Sequence, residues 1–349
     1  MDVRLQQLEQ WVSTIAAEQG LALSSDTLIP VSGDASFRRY FRASGKQVNW
    51  IAVDAPPEKE NSAPFVTLAR DWFSRGVRVP AILAADLELG FMLLEDFGDR
   101  LLLPELVPES ADRLYGQALE TLLQIQQIPA DDLPPYDEAL LRREMGLFDE
   151  WFLDRLLGVQ LGDDEQQLLA GIKTQLVESS LSQPQVTVHR DYHSRNLMPL
   201  PDGGLGVIDF QDAVRGAYTY DLVSLFRDSY IRWPDERVRG WVEEFRCALQ
   251  AAGADVAESD QFLRDFDWMG MQRQLKVLGI FSRLSLRDGK DGYLADMPRT
   301  LGYLLRAAAR YSETQPFAHW LEQRIVPAMS AHPLFNKGVD ADALARELD

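Results

Sequence analysis

The residues best suited to chemistry lie in one stretch, Val188-His189-Arg190-Asp191-Tyr192-His193-Ser194-Arg195-Asn196, followed closely by Val207-Ile208-Asp209-Phe210. The pattern is H-R-D-x-x-x-x-N, a short excursion, then a hydrophobic run ending in Asp. Phosphoryl transfer from ATP needs one carboxylate beside the attacking hydroxyl and oxygen ligands for Mg²⁺. Asp191 is the candidate base, and Asn196 and Asp209 are the candidate metal ligands. The spacing has a physical reason. Leu197 to Leu200 is predicted as a strand, Pro201-Asp202-Gly203-Gly204 as a turn, and Leu205 to Phe210 as the returning strand. Such a hairpin folds Asp209 back beside Asn196, so that two oxygen ligands meet at one hard cation. His189 is read as a backbone-bonding residue that holds the loop.

Other elements must position these groups. Leu5, Leu8, Trp11, Val12 and Ile15 recur at helical spacing and predict an amphipathic helix over 5–17. An antiparallel meander follows: a strand at 28–32, the turn Gly33-Asp34-Ala35-Ser36, a strand at 37–43 and another at 49–53. A helix over 64–75 takes Ser62 as N-cap and Gly76 as stop. Residues 80–85 and 90–95 read as a further hairpin, and Glu95-Asp96-Phe97-Gly98 breaks sharply to polar residues, a natural lobe boundary. From Ser110 onward helical stripes dominate. Asp221 begins a helix, where a carboxylate is favoured, and is expected to brace the catalytic loop. Asp212 either approaches metal or substrate or caps a turn.

Composition bounds the function. A hydrophobic content of 46% supplies a core, and a formal net charge of −19 disfavours nucleic acid and anionic membranes as partners. The single cysteine, Cys247, cannot form an internal disulfide. The start of the chain has no apolar secretory region, and no apolar run reaches the ~20 residues that span a bilayer. The expectation is a cytoplasmic enzyme acting as a monomer. G-x-x-x-x-G-K-[ST] is absent, which excludes a P-loop kinase.

The catalytic stretch resembles the aminoglycoside phosphotransferase and choline kinase group. Supporting segments are 33–42, Asp54-Ala55-Pro56-Pro57-Glu58, Leu94-Glu95-Asp96-Phe97-Gly98 and the run 272–281. These flanking segments are similar to the group's cell-wall-recycling sugar kinases. The resemblance implies an α+β, two-lobed protein-kinase-like fold: a nucleotide-binding lobe over 1–96 with a small antiparallel sheet, a helical lobe over 97–330, and a tail over 331–349. It implies ATP and Mg²⁺ as cofactors and the anomeric hydroxyl of an N-acetylated amino sugar as acceptor. Gly33, Asp34, Ala35, Ser36 and Phe37 would cover the phosphates, and Leu94, Glu95 and Asp96 would meet the adenine. His193, Asp212, Trp268, Gln272 and Arg273 would line the acceptor site, the last two against a solvated charged helix face as the alternative. The chain departs from the kinase pattern at its third strand, 49–54, which lacks the lysine that contacts the α/β-phosphates. Arg38, Arg39 or Arg42 must then supply the charge. Alternation groups Arg39 with Phe37 and Phe41, which points it inward over the nucleotide, or leaves it snorkelling over the core. An antibiotic phosphotransferase and a nucleotide-binding pseudokinase are the rival readings.

Overall fold

The computed structural model describes residues 2–20, 22–24, 28–31, 37–46 and 48–335. Two compact units form. The described residues up to Ile125 together with Arg195–Asp212 make the first, and Gln126–Ser194 with the described residues from Ala213 onward makes the second.

In the first unit, α1 (Val3–Gln19) is capped by Asp2, whose side chain accepts the Leu5 N–H, and ends at Gly20 in the left-handed conformation. Strands β1 (Ile29–Pro30), β2 (Arg39–Ala43), β3 (Trp50–Asp54), β4 (Ile82–Asp86) and β5 (Phe91–Glu95) form one antiparallel sheet in the order β1-β2-β3-β5-β4. Alternate side chains of β2, β3 and β5 (Phe41, Ala43, Trp50, Ala52, Phe91 and Leu93) face the apolar stripe of α1 and close a core with Leu8 and Val12. The predicted helix after the meander is α2 (Ala63–Ser74). Ser62 precedes it but makes no capping bond, and Pro64 in its first turn helps to set the start. Helix α3 (Ala111–Gln126) completes the run.

Two pairs of short strands remain. In the second unit β6 (Gln185–Val188) pairs with β9 (Val214–Ala217). In the first unit β7 (Leu197–Pro199) and β8 (Leu205–Val207) form the predicted hairpin, with Leu197 opposite Val207. The hairpin is tied to its unit at three points. Leu197 O accepts the Leu102 N–H (2.7 Å), Val207 N–H donates to Arg78 O (2.8 Å), and Gly203 O accepts from Gln117 Nε2 (2.8 Å). Phe210 then stacks on Phe65 of α2 (4.9 Å) and leans on Trp72 (5.6 Å). These ties draw residues as far as Ile125, and the hairpin itself, into the first unit. The compact units are therefore cut differently from lobes divided near Asp96.

The second unit is helical: α4 (Glu138–Leu147), which runs on as a π-helical segment over Phe148–Leu156, then α5 (Asp163–Ser182), α6 (Tyr220–Phe226), α7 (Asp235–Ala251), α8 (Ser259–Asp288), α9 (Met297–Arg310), α10 (Gln315–Trp320) and α11 (Val326–Ala331). Helix α8 is the axis of the unit and is buried over most of its middle. Gly279 lets it cross α4 at close range: a Cβ there would lie 2.6 Å from the Leu147 carbonyl oxygen. Among the described residues no helix is long and apolar enough to cross a membrane.

Candidate active site

The catalytic loop leaves β6 at Val188 and is held by two buried carboxylates. Asp221, in the first turn of α6, accepts the N–H groups of His189 (2.6 Å) and Arg190 (3.0 Å). Asp228, just beyond α6, accepts the Ser194 N–H (3.0 Å) and hydroxyl (2.5 Å). The bracing role expected of Asp221 is what the geometry gives. Between these anchors Arg190 sits at φ 78°, a left-handed conformation that costs a non-glycine residue of order 1 kcal/mol. Its guanidinium offsets that by pairing with Glu144 (2.5 Å) and lying over the Tyr136 ring (5.6 Å). His189 is fully buried and its Nδ1 accepts the Asp191 N–H (3.2 Å), the loop-holding part read from sequence.

Asp191 stands at the middle of this loop. Burial opposes ionisation of its carboxyl, but the nearby Lys276, His193, Arg273 and His189 outweigh it and hold the group below its ordinary range. Lys276 is itself buried, which would discharge it, yet Tyr220, Glu144 and Asp191 keep it protonated. Its Nζ donates to Tyr220 Oη (3.0 Å) and lies 3.5 Å from Glu144. Glu144 also accepts the Tyr136 hydroxyl, and Gln272 Nε2 reaches that hydroxyl at 3.4 Å.

The middle of α8 is thus no solvated face. Gln272, Arg273 and Lys276 are all at most 6% exposed. Arg273 joins the surroundings of Asp191, as does His193, whose ring meets Tyr230 edge-on, whereas Gln272 is directed to the Tyr136 hydroxyl. Trp268 lies under Arg264 (4.3 Å, cation over ring) and meets Tyr311 edge-on. Sequence reasoning missed Glu144, Tyr136 and Asp228, whose partners lie far along the chain.

The first unit carries the candidate metal pair. Ile208 N–H donates to Asn196 O (3.0 Å) across the hairpin, and this brings Asn196 Nδ2 to 3.4 Å from Asp209 Oδ2. Gln211, in place of the glycine that follows Asp-Phe in protein kinases, donates to Asp209 Oδ1 (2.7 Å). Asp209 takes φ 66°, so its backbone is bent to aim the carboxylate. One amide oxygen and one carboxylate suit Mg²⁺, which takes few protein ligands and completes its shell with phosphate and water. Among the described residues no three His, Cys, Asp or Glu side chains gather as a self-sufficient cage. Asp212 is exposed in the turn after Gln211.

Of the residues expected around the nucleotide, Gly33, Asp34, Ala35 and Ser36 lie outside the described residues. Arg39 departs from the inward placement expected of it. Phe37 precedes β2 and is 61% exposed. Arg39 turns to the α1 side of the sheet, lies over Phe41, and is bound by the carboxylates of Asp2 and the fully buried Asp54, which also holds Arg4. Two carboxylates claim that charge. Arg38 is the buried arginine, 8% exposed, 3.5 Å from Glu60 and 5.9 Å from the Phe65 ring. Arg42 is spent on Asp96 (2.5 Å) and Asp99 (2.9 Å). Leu94 is buried in β5 opposite Ile51, while Glu95 is locked to Arg78 (2.5 Å). The Asp96 carboxylate also accepts the Gly98 N–H (2.8 Å), which fixes the chain after β5.

A loop built to keep one carboxylate charged, and a hairpin built to set Asn beside Asp, are the working parts of a phosphotransferase. The profile of the phosphotransferase enzyme family matches residues 27–260, more than half of the chain, and the chain belongs to that family. The N-acetylmuramate/N-acetylglucosamine kinase of Pseudomonas putida is 45% identical over 326 residues, covering 89% of this chain and 94% of that protein. The enzyme of the same name from Neisseria meningitidis is 41% identical over 318 residues, covering 88% and 92%. Among solved structures, choline kinase LicA from Streptococcus pneumoniae superposes with a TM-score of 0.57 at 12% identity, covering 85% of this chain and 99% of that one. ADP-bound aminoglycoside phosphotransferase APH(2'')-Ib gives 0.54 at 14%, covering 87% and 98%. These likenesses show the fold, and the α+β, protein-kinase-like expectation stands.

Proposed function

We propose that the protein transfers the γ-phosphoryl group of ATP to the anomeric hydroxyl of N-acetylmuramate or N-acetylglucosamine. The observation that carries the reading is the position of Asp191 on a loop pinned on both sides by Asp221 and Asp228, beside the cationic Lys276 and Arg273. Asp191 orients the acceptor hydroxyl and takes its proton; an anomeric hydroxyl is more acidic than an ordinary alcohol, so one carboxylate suffices. Asn196 and Asp209 are the residues that would hold Mg²⁺, which would offset the charge on the phosphates. Arg38 replaces the lysine absent from β3, with Glu60 as its partner. The backbone at Leu94 and Asp96 meets the adenine, while the Glu95–Arg78 pair keeps that segment in place. The acceptor class follows the names of the relatives, and the surroundings of Asp191 favour it. Arg273, which has no carboxylate partner among the described residues, would repel the cationic acceptor of an antibiotic phosphotransferase, whereas a neutral or anionic sugar meets no such barrier. The test is phosphorus NMR of the products formed from a panel of sugars with Mg-ATP. Sugar 1-phosphates from the two amino sugars are the expected result, and no turnover of either overturns the substrate.

A further inference from the structure

The charged groups around Asp191 can be followed one by one to their partners. Asp221 receives two backbone N–H groups, and Asp228 receives Ser194 and the Tyr230 N–H. Glu144 receives Arg190, Lys276 and Tyr136. Arg273 breaks the pattern. It is 5% exposed, its Nε and Nη1 are shielded from solvent with no hydrogen-bond partner, and no described carboxylate lies within ion-pair distance of it. A guanidinium stripped of water and given nothing in exchange is destabilising, because each lost donor forfeits its hydration. Such an arrangement is made good by an anion that arrives with the ligand.

The position of Arg273 narrows what that anion is. Arg273 stands on the same stripe of α8 as Lys276, one turn away. Lys276 is consumed by Glu144 and Tyr220, so it does not compete for a ligand. Arg273 is close enough to Asp191 to act on its charge, yet makes no ion pair with it. The base stays available for the hydroxyl and the guanidinium for a second group on the same molecule. N-acetylmuramate carries a lactyl carboxylate two ring carbons from its anomeric hydroxyl, and N-acetylglucosamine carries none. A planar guanidinium suits a carboxylate through two parallel hydrogen bonds.

We propose that Arg273 is the specificity-determining residue of the acceptor site, binding a carboxylate on the sugar and favouring acidic over neutral amino sugars. This rests on the function proposed above, and the experiment separates the two. The readout is the ratio of kcat/KM for N-acetylmuramate to that for N-acetylglucosamine, in which any general loss cancels. It is measured for the wild type, Arg273→Gln and Arg273→Lys. Loss of a charge-assisted bond predicts that Arg273→Gln lowers the ratio by ~10–100-fold, mainly through KM of the acidic sugar. Arg273→Lys keeps the charge without the fork and falls between. Equal losses on both sugars overturn the proposal and place Arg273 on a shared group or on the phosphate. If Arg273→Gln does not fold, an unchanged ratio in Arg273→Lys overturns it instead. Calorimetric titration of N-acetylmuramate without nucleotide covers a wild type that turns over neither sugar. In that case the function falls, and Arg273 stands only if the wild type binds the acid and Arg273→Gln does not.

Discussion

Asp191 can be isolated by changing one atom. Asp191→Asn keeps the shape and removes the proton acceptor, so kcat should fall by ~10²–10⁴-fold, the range of a general base. Nucleotide binding, followed by titration, should be nearly unchanged, and near-normal kcat would sink the assigned role. The charge of Lys276 favours the ionised base. In Lys276→Gln the Asp191 carboxyl loses that support and its pKa rises, so the acid limb of the pH–rate profile should move to higher pH. An unmoved limb would detach Lys276 from the base. Asp209 tests backbone and side chain separately. At φ 66° glycine is at ease, so Asp209→Gly should melt no lower than the wild type to within ~0.5 kcal/mol while losing turnover. Asp191, Asn196 and Asp209 were legible in the sequence because all three fall within the nineteen residues from Asp191 to Asp209. Glu144 and Asp228 were not: each earns its place only after distant segments have packed.

At the scale of elements, strand β2 divides its arginines between two faces. Alternation along the strand was readable, but which face meets the nucleotide was not, because α1 covers one side of the sheet and claims Arg39 through Asp54. The expected outcome is that Arg38→Ala weakens ATP binding by ~10-fold, the loss of a charged phosphate contact, whereas Arg39→Ala lowers the melting temperature with ATP affinity retained. Equal ATP affinities in the two variants would remove Arg38 from the nucleotide. Helices α8 and α4 offer a second test. Gly279→Ala would drive a methyl group against the Leu147 carbonyl, at a cost of ~1–3 kcal/mol in denaturant unfolding. The same shift would part Gln272 and Lys276 from Tyr136 and Glu144, so kcat should fall with stability. The run 272–281 stood out in the sequence, yet its burial did not, since polar residues at helical spacing read equally well as a wet surface. The pairing of β6 with β9 escaped for another reason: its strands are short and flank the whole hairpin.

For the whole molecule, pH and connectivity matter most. Burial pushes the Asp221 carboxyl up from 3.8 to about 7, with the His189 and Arg190 N–H groups pulling the other way. The folded chain then keeps a proton that the unfolded chain releases, so this group's contribution to stability falls as pH rises from the unfolded value through about 7 and levels off above. Urea unfolding across that window should show the decline, and Asp221→Asn should flatten it; an undiminished slope in the variant would acquit Asp221. The net charge of −19 adds self-repulsion over the same range, which salt should relieve in both proteins alike. The hairpin of β7 and β8 has a consequence of a different kind, for the order of events during synthesis. A ribosome adds ~5–20 residues per second, and it must make all of 126–194 before the strands that Arg78 and Leu102 await exist. The sheet and α1 can gather early, but Phe65 and Trp72 have no Phe210 to cover them until about three fifths of the chain has emerged. A nascent chain stalled before Arg195 is therefore a client for chaperones, and a half-gene expressed alone would carry that exposed aromatic face permanently.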